Sequence, residues 1–163
     1  MKNIVLIGMS GAGKSTLGVL LAKALGLDFV DTDIVLQQRQ GRKLQEILDA
    51  EGIDAFLRIE EETVCALRAG GSVIATGGSV VYSEKAMAAL KSGGRAVYLH
   101  VDFPELQRRL GSISTRGIVI KNGCSLEDVY NERLPLYQKY ADLTVECTGR
   151  GIEACVEEII RAL

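Results

Sequence analysis

A glycine-rich loop near the N-terminus constrains the fold of this chain more than any other stretch. Residues 8–16 read Gly-Met-Ser-Gly-Ala-Gly-Lys-Ser-Thr and fit the pattern G-x-x-x-x-G-K-[ST] at every position. Glycines let successive backbone N–H groups surround phosphate oxygens, while Lys14 supplies a mobile positive charge and Ser15 a hydroxyl for Mg²⁺. A simple glycine-rich turn is the alternative, but the apolar run at 4–7 and the helical spacing of leucines over 17–25 provide the strand and helix that a phosphate loop requires. The predicted nucleotide-binding loop residues are therefore Gly11, Ala12, Gly13, Lys14, Ser15 and Thr16.

Length and charge limit the remaining possibilities. With 163 residues the chain can form one domain with a substantial core, and we predict a single domain over residues 1–163. No apolar run approaches the length needed to cross a bilayer, and the sequence enters a predicted strand at once rather than a cleavable leader. A net charge of -2 creates no field that would attract nucleic acid. We therefore expect a cytoplasmic, monomeric protein that acts on a small molecule, with no nucleic-acid or membrane partner.

Strand and helix patterns alternate along the chain. Apolar runs that predict strands lie at residues 4–7, 27–31, 72–76, 95–101 and 143–146. Helical patterns separate these runs, including a long one over 44–67 that is interrupted near Gly52 and another over 126–140 that contains Pro135. This alternation is typical of an α/β fold.

Two aspartates lie where the second predicted strand ends and a helix begins. Asp31 and Asp33 are separated by one threonine. In open parallel sheets the ligand crevice forms outside the carboxyl ends of the strands, and the phosphate loop lies at that same edge. We therefore expect these two carboxylates to serve the metal ion and the hydroxyl of an acceptor.

A segment over 111–124 has little periodicity and is predicted to form a mobile lid, with an ordinary surface loop as the alternative. It carries Arg116, which could neutralise a transferring phosphoryl group. A closing lid also excludes water, which otherwise would accept that group, so a kinase is favoured over a simple ATPase. The guanine-reading pattern N-K-x-D is absent, because Lys121 and Asn122 stand in the reverse order with no aspartate at the required spacing. ATP with Mg²⁺ is therefore the predicted cofactor pair.

The order of these motifs resembles the shikimate kinase family, within the nucleoside-monophosphate-kinase-like group of P-loop proteins, over essentially the whole chain. Besides the phosphate loop, residues 31–33 resemble the family's D-[ST]-D, residues 76–79 its T-G-G-G, residues 116–119 its R-P-L-L and residues 133–137 its R-x-P-x-Y. The resemblance implies a five-stranded parallel sheet in the order 2-3-1-4-5, flanked by helices and closed by a lid.

The resemblance also implies roles for individual residues. Asp33 would bind the acceptor hydroxyls and help to remove a proton, Asp31 would hold Mg²⁺ through water together with Ser15, and Arg133 would pair with a substrate carboxylate. Either Arg108 or Arg109 would flank the adenine. The catalytic residues so predicted are Lys14, Asp33 and Arg116. The substrate-binding residues are Asp33, Gly77, Gly78, Ser79, Arg133 and Arg58, and the distal nucleotide contacts are Arg109 and Arg150.

Three departures from the family pattern concern the acceptor half and the lid. The family's F-R-x-x-E carries a second carboxylate-binding arginine, whereas this chain has Leu57 at that place. Arg58 lies one position along, about 100° around a helix, so it would point elsewhere unless the helix is rotated or distorted. Ser79 replaces the third glycine and could reject the family's ring or hydrogen-bond a different polyol. Gly117 replaces the lid proline and removes a restraint on φ.

These observations predict ATP-dependent phosphorylation of a hydroxyl on a small molecule, with conversion of shikimate to shikimate 3-phosphate as the leading reaction. A kinase for another small hydroxy acid or polyol is the first alternative because of Leu57 and Ser79. A nucleotide-binding protein without turnover is the second.

Overall fold

The computed structural model describes residues 2–111 and 117–163 and contains a five-stranded parallel sheet. The strands are β1 (Asn3–Ile7), β2 (Asp28–Asp31), β3 (Ser72–Ala75), β4 (Gly94–His100) and β5 (Leu143–Glu146). Their order is β2-β3-β1-β4-β5, with every neighbouring pair parallel. The predicted α/β fold and strand order are confirmed.

Helices cover both faces of this sheet. They are α1 (Lys14–Leu25), α2 (Thr32–Gln40), α3 (Leu44–Cys65), α4 (Glu84–Gly93), α5 (Phe103–Gly111), α6 (Leu126–Tyr140) and α7 (Ile152–Ala162), with a 3₁₀ helix at Val80–Tyr82. The central strand β1 is buried along its whole length, which explains the apolar run over residues 4–7.

Local sequence signals account for the helix boundaries nearest the sheet edge. The Asp31 carboxylate caps α2 by accepting hydrogen bonds from the backbone N–H groups of Asp33 and Ile34. Gly52, with φ 81°, interrupts α3 at the predicted position. Pro135 lies inside α6, as the sequence pattern indicated.

The buried apolar residues form two separate clusters. The larger one surrounds the sheet and contains β1, β4 and the inner faces of the helices that cover them. The smaller one consists of Leu36, Ile47, Phe56 and Val119, with Leu57 partly buried against it. This second cluster joins α2 and α3 to the chain that follows residue 116. The acceptor side of the molecule therefore has an apolar core of its own.

Part of the predicted lid falls outside the description. Residues 112–116, including Arg116, are not among the described residues. Immediately beyond them, the backbone N–H of Gly117 donates to the side-chain carbonyl of Gln45 on α3 at 2.7 Å. Within residues 2–111 and 117–163, the helices are all too short or too polar to cross a membrane.

Candidate active site

The phosphate loop depends on glycine at positions 8, 11 and 13, all of which have positive φ. Gly8 and Gly13 have φ values of 147° and 91°, which side-chain-bearing residues rarely adopt. A Cβ at Gly8 would also lie 2.8 Å from the carbonyl oxygen of Leu99 on β4. The loop then leads directly into α1, whose first N–H groups point back towards it. These features form a cradle of backbone donors for phosphate.

Lys14 lies folded against this loop. Its Nζ donates to the carbonyl oxygens of Gly8 at 2.7 Å and Met9 at 2.8 Å. Burial lowers the pKa of Lys14 to about 8, against the opposing effect of Asp33. The ammonium group is therefore held at the cradle by neutral carbonyls, which a phosphate oxygen can replace.

The metal site predicted at Ser15 and Asp31 is geometrically coherent. Ser15 Oγ donates to Asp31 Oδ2 at 2.6 Å, and Asp31 Oδ1 is held by the N–H groups at the start of α2. Mg²⁺ is usually bound by one or two carboxylates with phosphate oxygens and waters completing the octahedron. No cluster of three or more metal-ligating His, Cys, Asp or Glu side chains occurs in the described part of the chain, which is compatible with that mode of binding. A hydroxyl and a carboxylate beside the phosphate loop fit Mg²⁺ delivered with a nucleotide.

The buried carboxylate of Glu60 and the half-buried carboxylate of Asp33 face one point at the end of β3. A Cβ built on Gly77 would lie 2.6 Å from Glu60 Oε2 and 2.7 Å from Asp33 Oδ1. Burial raises the pKa of Asp33 to about 6 and that of Glu60 to about 7. The charge of Asp31 raises the pKa of Asp33 further, and the charge of Asp33 does the same for Glu60. Only glycine at position 77 leaves room for this pair.

Arg133 approaches the same edge from α6. Its side chain is 1% exposed, and its Nη1 would lie 2.9 Å from a Cβ on Gly78. Nη2 donates to the carbonyl oxygen of Val119 at 2.8 Å, Nε donates to Tyr82 Oη at 3.3 Å, and the guanidinium lies 5.3 Å from the centre of the Tyr82 ring. Tyr137 Oη donates to the carbonyl oxygen of Gly78 at 2.7 Å. The cation and the glycine backbone are therefore fixed against each other.

A cleft of about 360 Å³ borders the phosphate loop. Arg109 and Arg150 line it together with the loop residues 11–13. Arg109 Nη1 donates to the carbonyl oxygen of Gly11 at 3.3 Å, whereas the side chain of Arg108 is 76% exposed. Of the two adjacent arginines, the structure places Arg109 at the cleft.

Comparison with known proteins identifies this arrangement. The shikimate kinase family model matches residues 10–163. The chain belongs to the shikimate kinase family. It is 38% identical to a shikimate kinase of Thermobifida fusca (strain YX) over 161 residues, which cover 98% of this chain and 93% of the relative. It is 40% identical to a shikimate kinase of Pseudomonas aeruginosa (strain LESB58) over 166 residues, which cover 100% of this chain and 96% of the relative.

A solved structure supports the same assignment. The shikimate kinase from Acinetobacter baumannii in complex with shikimate superposes with a TM-score of 0.90 at 30% identity, covering 99% of this chain and 92% of that chain. Shikimate kinases transfer a phosphoryl group from ATP, with Mg²⁺, to a hydroxyl group of shikimate. The prediction of an ATP- and Mg²⁺-dependent small-molecule kinase is thereby confirmed.

Family membership does not decide the roles of the residues that differ from the family motifs. The structure shows where these residues lie. Leu57 is half-buried and borders a cavity of about 90 Å³ with Tyr82 and Val119. Arg58, a predicted substrate contact, is exposed, as its rotation around the helix predicts. Ser79 Oγ donates to Glu60 Oε1 at 2.8 Å.

Sequence reasoning missed one member of the site. Glu60 is 4% exposed and faces Gly77, yet no role was predicted for it. The available signal was its register, since it is the glutamate of the F-x-x-x-E spacing that begins at Phe56. Tyr137, which holds the Gly78 carbonyl, is the tyrosine of the R-x-P-x-Y motif, whereas Tyr82, which holds Arg133, gave no such signal.

Proposed function

We propose that this chain transfers the γ-phosphoryl group of ATP to shikimate and forms shikimate 3-phosphate. The observation that carries the proposal is the convergence of Asp33 and Glu60 on Gly77, with Arg133 at Gly78 and Lys14 beside them. A hydroxy acid needs both a carboxylate to hold its hydroxyl and a cation to hold its carboxylate. The edge of the sheet offers these two groups next to the phosphate cradle.

Asp33 is the proposed general base. It is held at the start of α2, and its raised pKa of about 6 leaves it ionised at neutral pH and more basic than an ordinary aspartate. It therefore can orient an acceptor hydroxyl and accept its proton as the new phosphate ester bond forms. Lys14 neutralises charge on the phosphate oxygens, and Mg²⁺, held by Ser15 and Asp31, supplies further neutralisation of the nucleotide.

Arg133 is the proposed partner of the substrate carboxylate. Its guanidinium is already oriented by Val119 and Tyr82, so little side-chain entropy is lost when an anion binds. Leu57 leaves this chain without the second arginine of the family pattern. Since a charge-assisted hydrogen bond contributes about 1.5–3 kcal/mol, we expect shikimate to bind roughly ten- to a hundredfold less tightly than with both arginines.

Leu57 also supports a second candidate substrate class. Ile53, Val119 and Val129 line the cavity beside it, and the charged side chains of Lys121 and Glu132 line it as well. An aliphatic side chain at position 57 favours an acceptor with less negative charge at that end, which would be another small hydroxy acid or a polyol.

Coupled measurement of ADP release tests the proposal. Shikimate, quinate, gluconate and glycerol are compared at equal concentrations with Mg²⁺-ATP. We expect shikimate to give the highest kcat/KM. If only one of the other acceptors stimulated ADP release, the substrate would belong to that class and not be shikimate. If no acceptor stimulated ADP release, the chain would be a nucleotide-binding protein without turnover.

Residues 1–163 act as one domain, the protein is monomeric and cytoplasmic, and residues 111–124 close as a lid. On closure, Arg116 would contact the transferring phosphoryl group.

A further inference from the structure

The hydroxyl of Ser79 lies in a buried contact that its sequence motif does not require. Ser79 precedes the 3₁₀ helix, is 5% exposed and donates to Glu60 Oε1 at 2.8 Å. Its φ and ψ angles of -87° and -5° are ordinary for any residue. The backbone at position 79 therefore does not require glycine. What distinguishes Ser79 from glycine is the hydrogen bond that its hydroxyl donates to Glu60.

Leu57 belongs to the same helix face as Glu60. The two residues are three positions apart in α3, after the interruption at Gly52, and side chains at i and i+3 are neighbours on a helix. A cation at position 57 would therefore lie within reach of the Glu60 carboxylate. Leu57 gives Glu60 an aliphatic neighbour, and the hydrogen bond to the Glu60 side chain comes from Ser79.

We propose that Ser79 is a positioning residue for Glu60, and that its hydroxyl substitutes in this chain for the cation missing at position 57. The hydrogen bond fixes Oε1 of Glu60. Oε2 is thereby directed to Gly77, where Asp33 Oδ1 also points. The two differences from the family pattern are thus linked: leucine at position 57 removes a cationic partner of Glu60, and serine at position 79 supplies a hydrogen-bond donor in its place.

The charges around Glu60 are consistent with this role. Burial raises its pKa to about 7, and the Ser79 hydrogen bond is the largest of the effects that lower it. Asp33 on α2 raises the pKa, while Arg133 on α6 and Lys14 on α1 lower it. Tyr137 of α6 also faces this carboxylate. The neutral hydroxyl therefore supports the ionised form of a carboxylate that burial disfavours.

Titration of Glu60 in the free protein tests the inference directly. The carboxyl carbon signal of Glu60 is assigned by its loss in Glu60→Gln and followed by NMR against pH. Ser79→Ala should move the Glu60 midpoint upward by about one pH unit, because a donor to the charged form is lost. Ser79→Gly restores the family motif and should raise the Glu60 midpoint by a similar amount. This variant replaces Ser79→Ala in the experiment if the alanine variant folds poorly.

Two further variants make the test specific. Ser83 Oγ donates to Glu61 Oε2 at 2.6 Å, so Ser83→Ala removes a similar hydroxyl from the adjacent glutamate and should leave the Glu60 midpoint unchanged. Leu57→Arg should lower the midpoint. When Leu57→Arg is already present, Ser79→Ala should move it less than half as far as in the wild-type background.

Kinetics supplies a second readout, which rests on the proposed function. Ser79→Ala should raise the KM for shikimate about tenfold and leave the KM for ATP unchanged, with a smaller effect in the Leu57→Arg background. An unmoved Glu60 midpoint in both Ser79 variants would overturn the inference, as would equal effects in the two Leu57 backgrounds. Lack of shikimate turnover by the wild-type protein would overturn the proposed function alone, because the titration requires no substrate.

Discussion

The nucleotide half and the acceptor half of this active site are built by different means. The nucleotide half consists mainly of backbone, with Gly8 and Gly13 in conformations that only glycine adopts readily and Lys14 held by loop carbonyls. The acceptor half consists of charged side chains buried around Gly77 and Gly78. A binding site made of backbone groups is retained as long as its glycines are retained. A binding site made of side chains changes with a single substitution. The departures at 57 and 79 both fall in the acceptor half.

The largest expected effect comes from Asp33→Asn. Loss of the proposed base should lower kcat with shikimate by about 10²–10⁴-fold, while binding of an ATP analogue stays within about twofold. ADP release and calorimetry measure the two quantities. Asp28→Asn changes an exposed aspartate at the start of β2, the strand that precedes α2, and should leave both quantities unchanged as the matched control. An Asp33→Asn enzyme that retained a tenth of its kcat would show that the base lies elsewhere.

Gly77→Ala should impair the acceptor half by steric clash and leave the nucleotide half intact. The added Cβ would meet Glu60 Oε2 and Asp33 Oδ1 far inside normal contact distance, so both carboxylates must move. We expect kcat/KM for shikimate to fall about a hundredfold with little change in nucleotide affinity. A Cβ at Gly70 meets nothing within 4 Å, which makes Gly70→Ala the control. Equal losses in ATP and shikimate binding would contradict a division into two halves.

Leu57→Arg should restore charge to the acceptor half. We expect the KM for shikimate to fall about ten- to a hundredfold, because a second charge-assisted contact becomes available. Arg58→Leu removes the neighbouring exposed cation and should leave KM unchanged. If Leu57→Arg left KM unchanged or lowered kcat/KM, the pocket would be shaped for a different acceptor.

Glu60→Gln should reveal the stability cost of the buried acceptor charge. The pKa of Glu60 is raised from 4.5 to about 7 in the native state, so between these pH values the unfolded chain releases the proton first and native stability falls as pH rises. The variant should lack this loss and be more stable than the wild type by about 1–3 kcal/mol above pH 7. Urea unfolding at pH 5 and pH 8 measures the difference. A variant that was no more stable at pH 8 would show that Glu60 ionises without such a penalty.

The smallest expected effect concerns the nucleotide half. Arg109→Ala should raise the KM for ATP by about two- to tenfold, because Arg109 lines the cleft beside the phosphate loop and donates to the carbonyl oxygen of Gly11. Arg108→Ala alters an exposed neighbour and should have no effect. A stronger effect from Arg108→Ala would reverse the assignment of these two arginines.

The same division explains what the sequence predicted. The phosphate loop, the strands and their order follow from local patterns and a family resemblance, because glycine spacing and apolar runs report directly on backbone conformation. The contacts of Glu60 and Ser79 could not be predicted in this way. Whether a glutamate is buried and where a serine hydroxyl points depend on how α3 packs against the end of β3, which involves residues 19 positions apart.

Arg58 and Leu57 show an intermediate case. Helical geometry alone indicated that Arg58 would point away from the position that Leu57 occupies, and the structure places Arg58 at the surface and Leu57 against the small apolar cluster. What sequence reasoning could not supply was the energetic link between Leu57 and Ser79, since the two residues are connected only through Glu60.

Identification of the product tests the central claim most directly. The wild-type protein is incubated with Mg²⁺-ATP and shikimate, and the mixture is analysed by phosphorus–proton correlation NMR. We predict one phosphate ester, on the 3-hydroxyl of shikimate, formed in equal amount with ADP. Inorganic phosphate with unchanged shikimate, or no ADP at all, would contradict the assignment of this active site to shikimate phosphorylation.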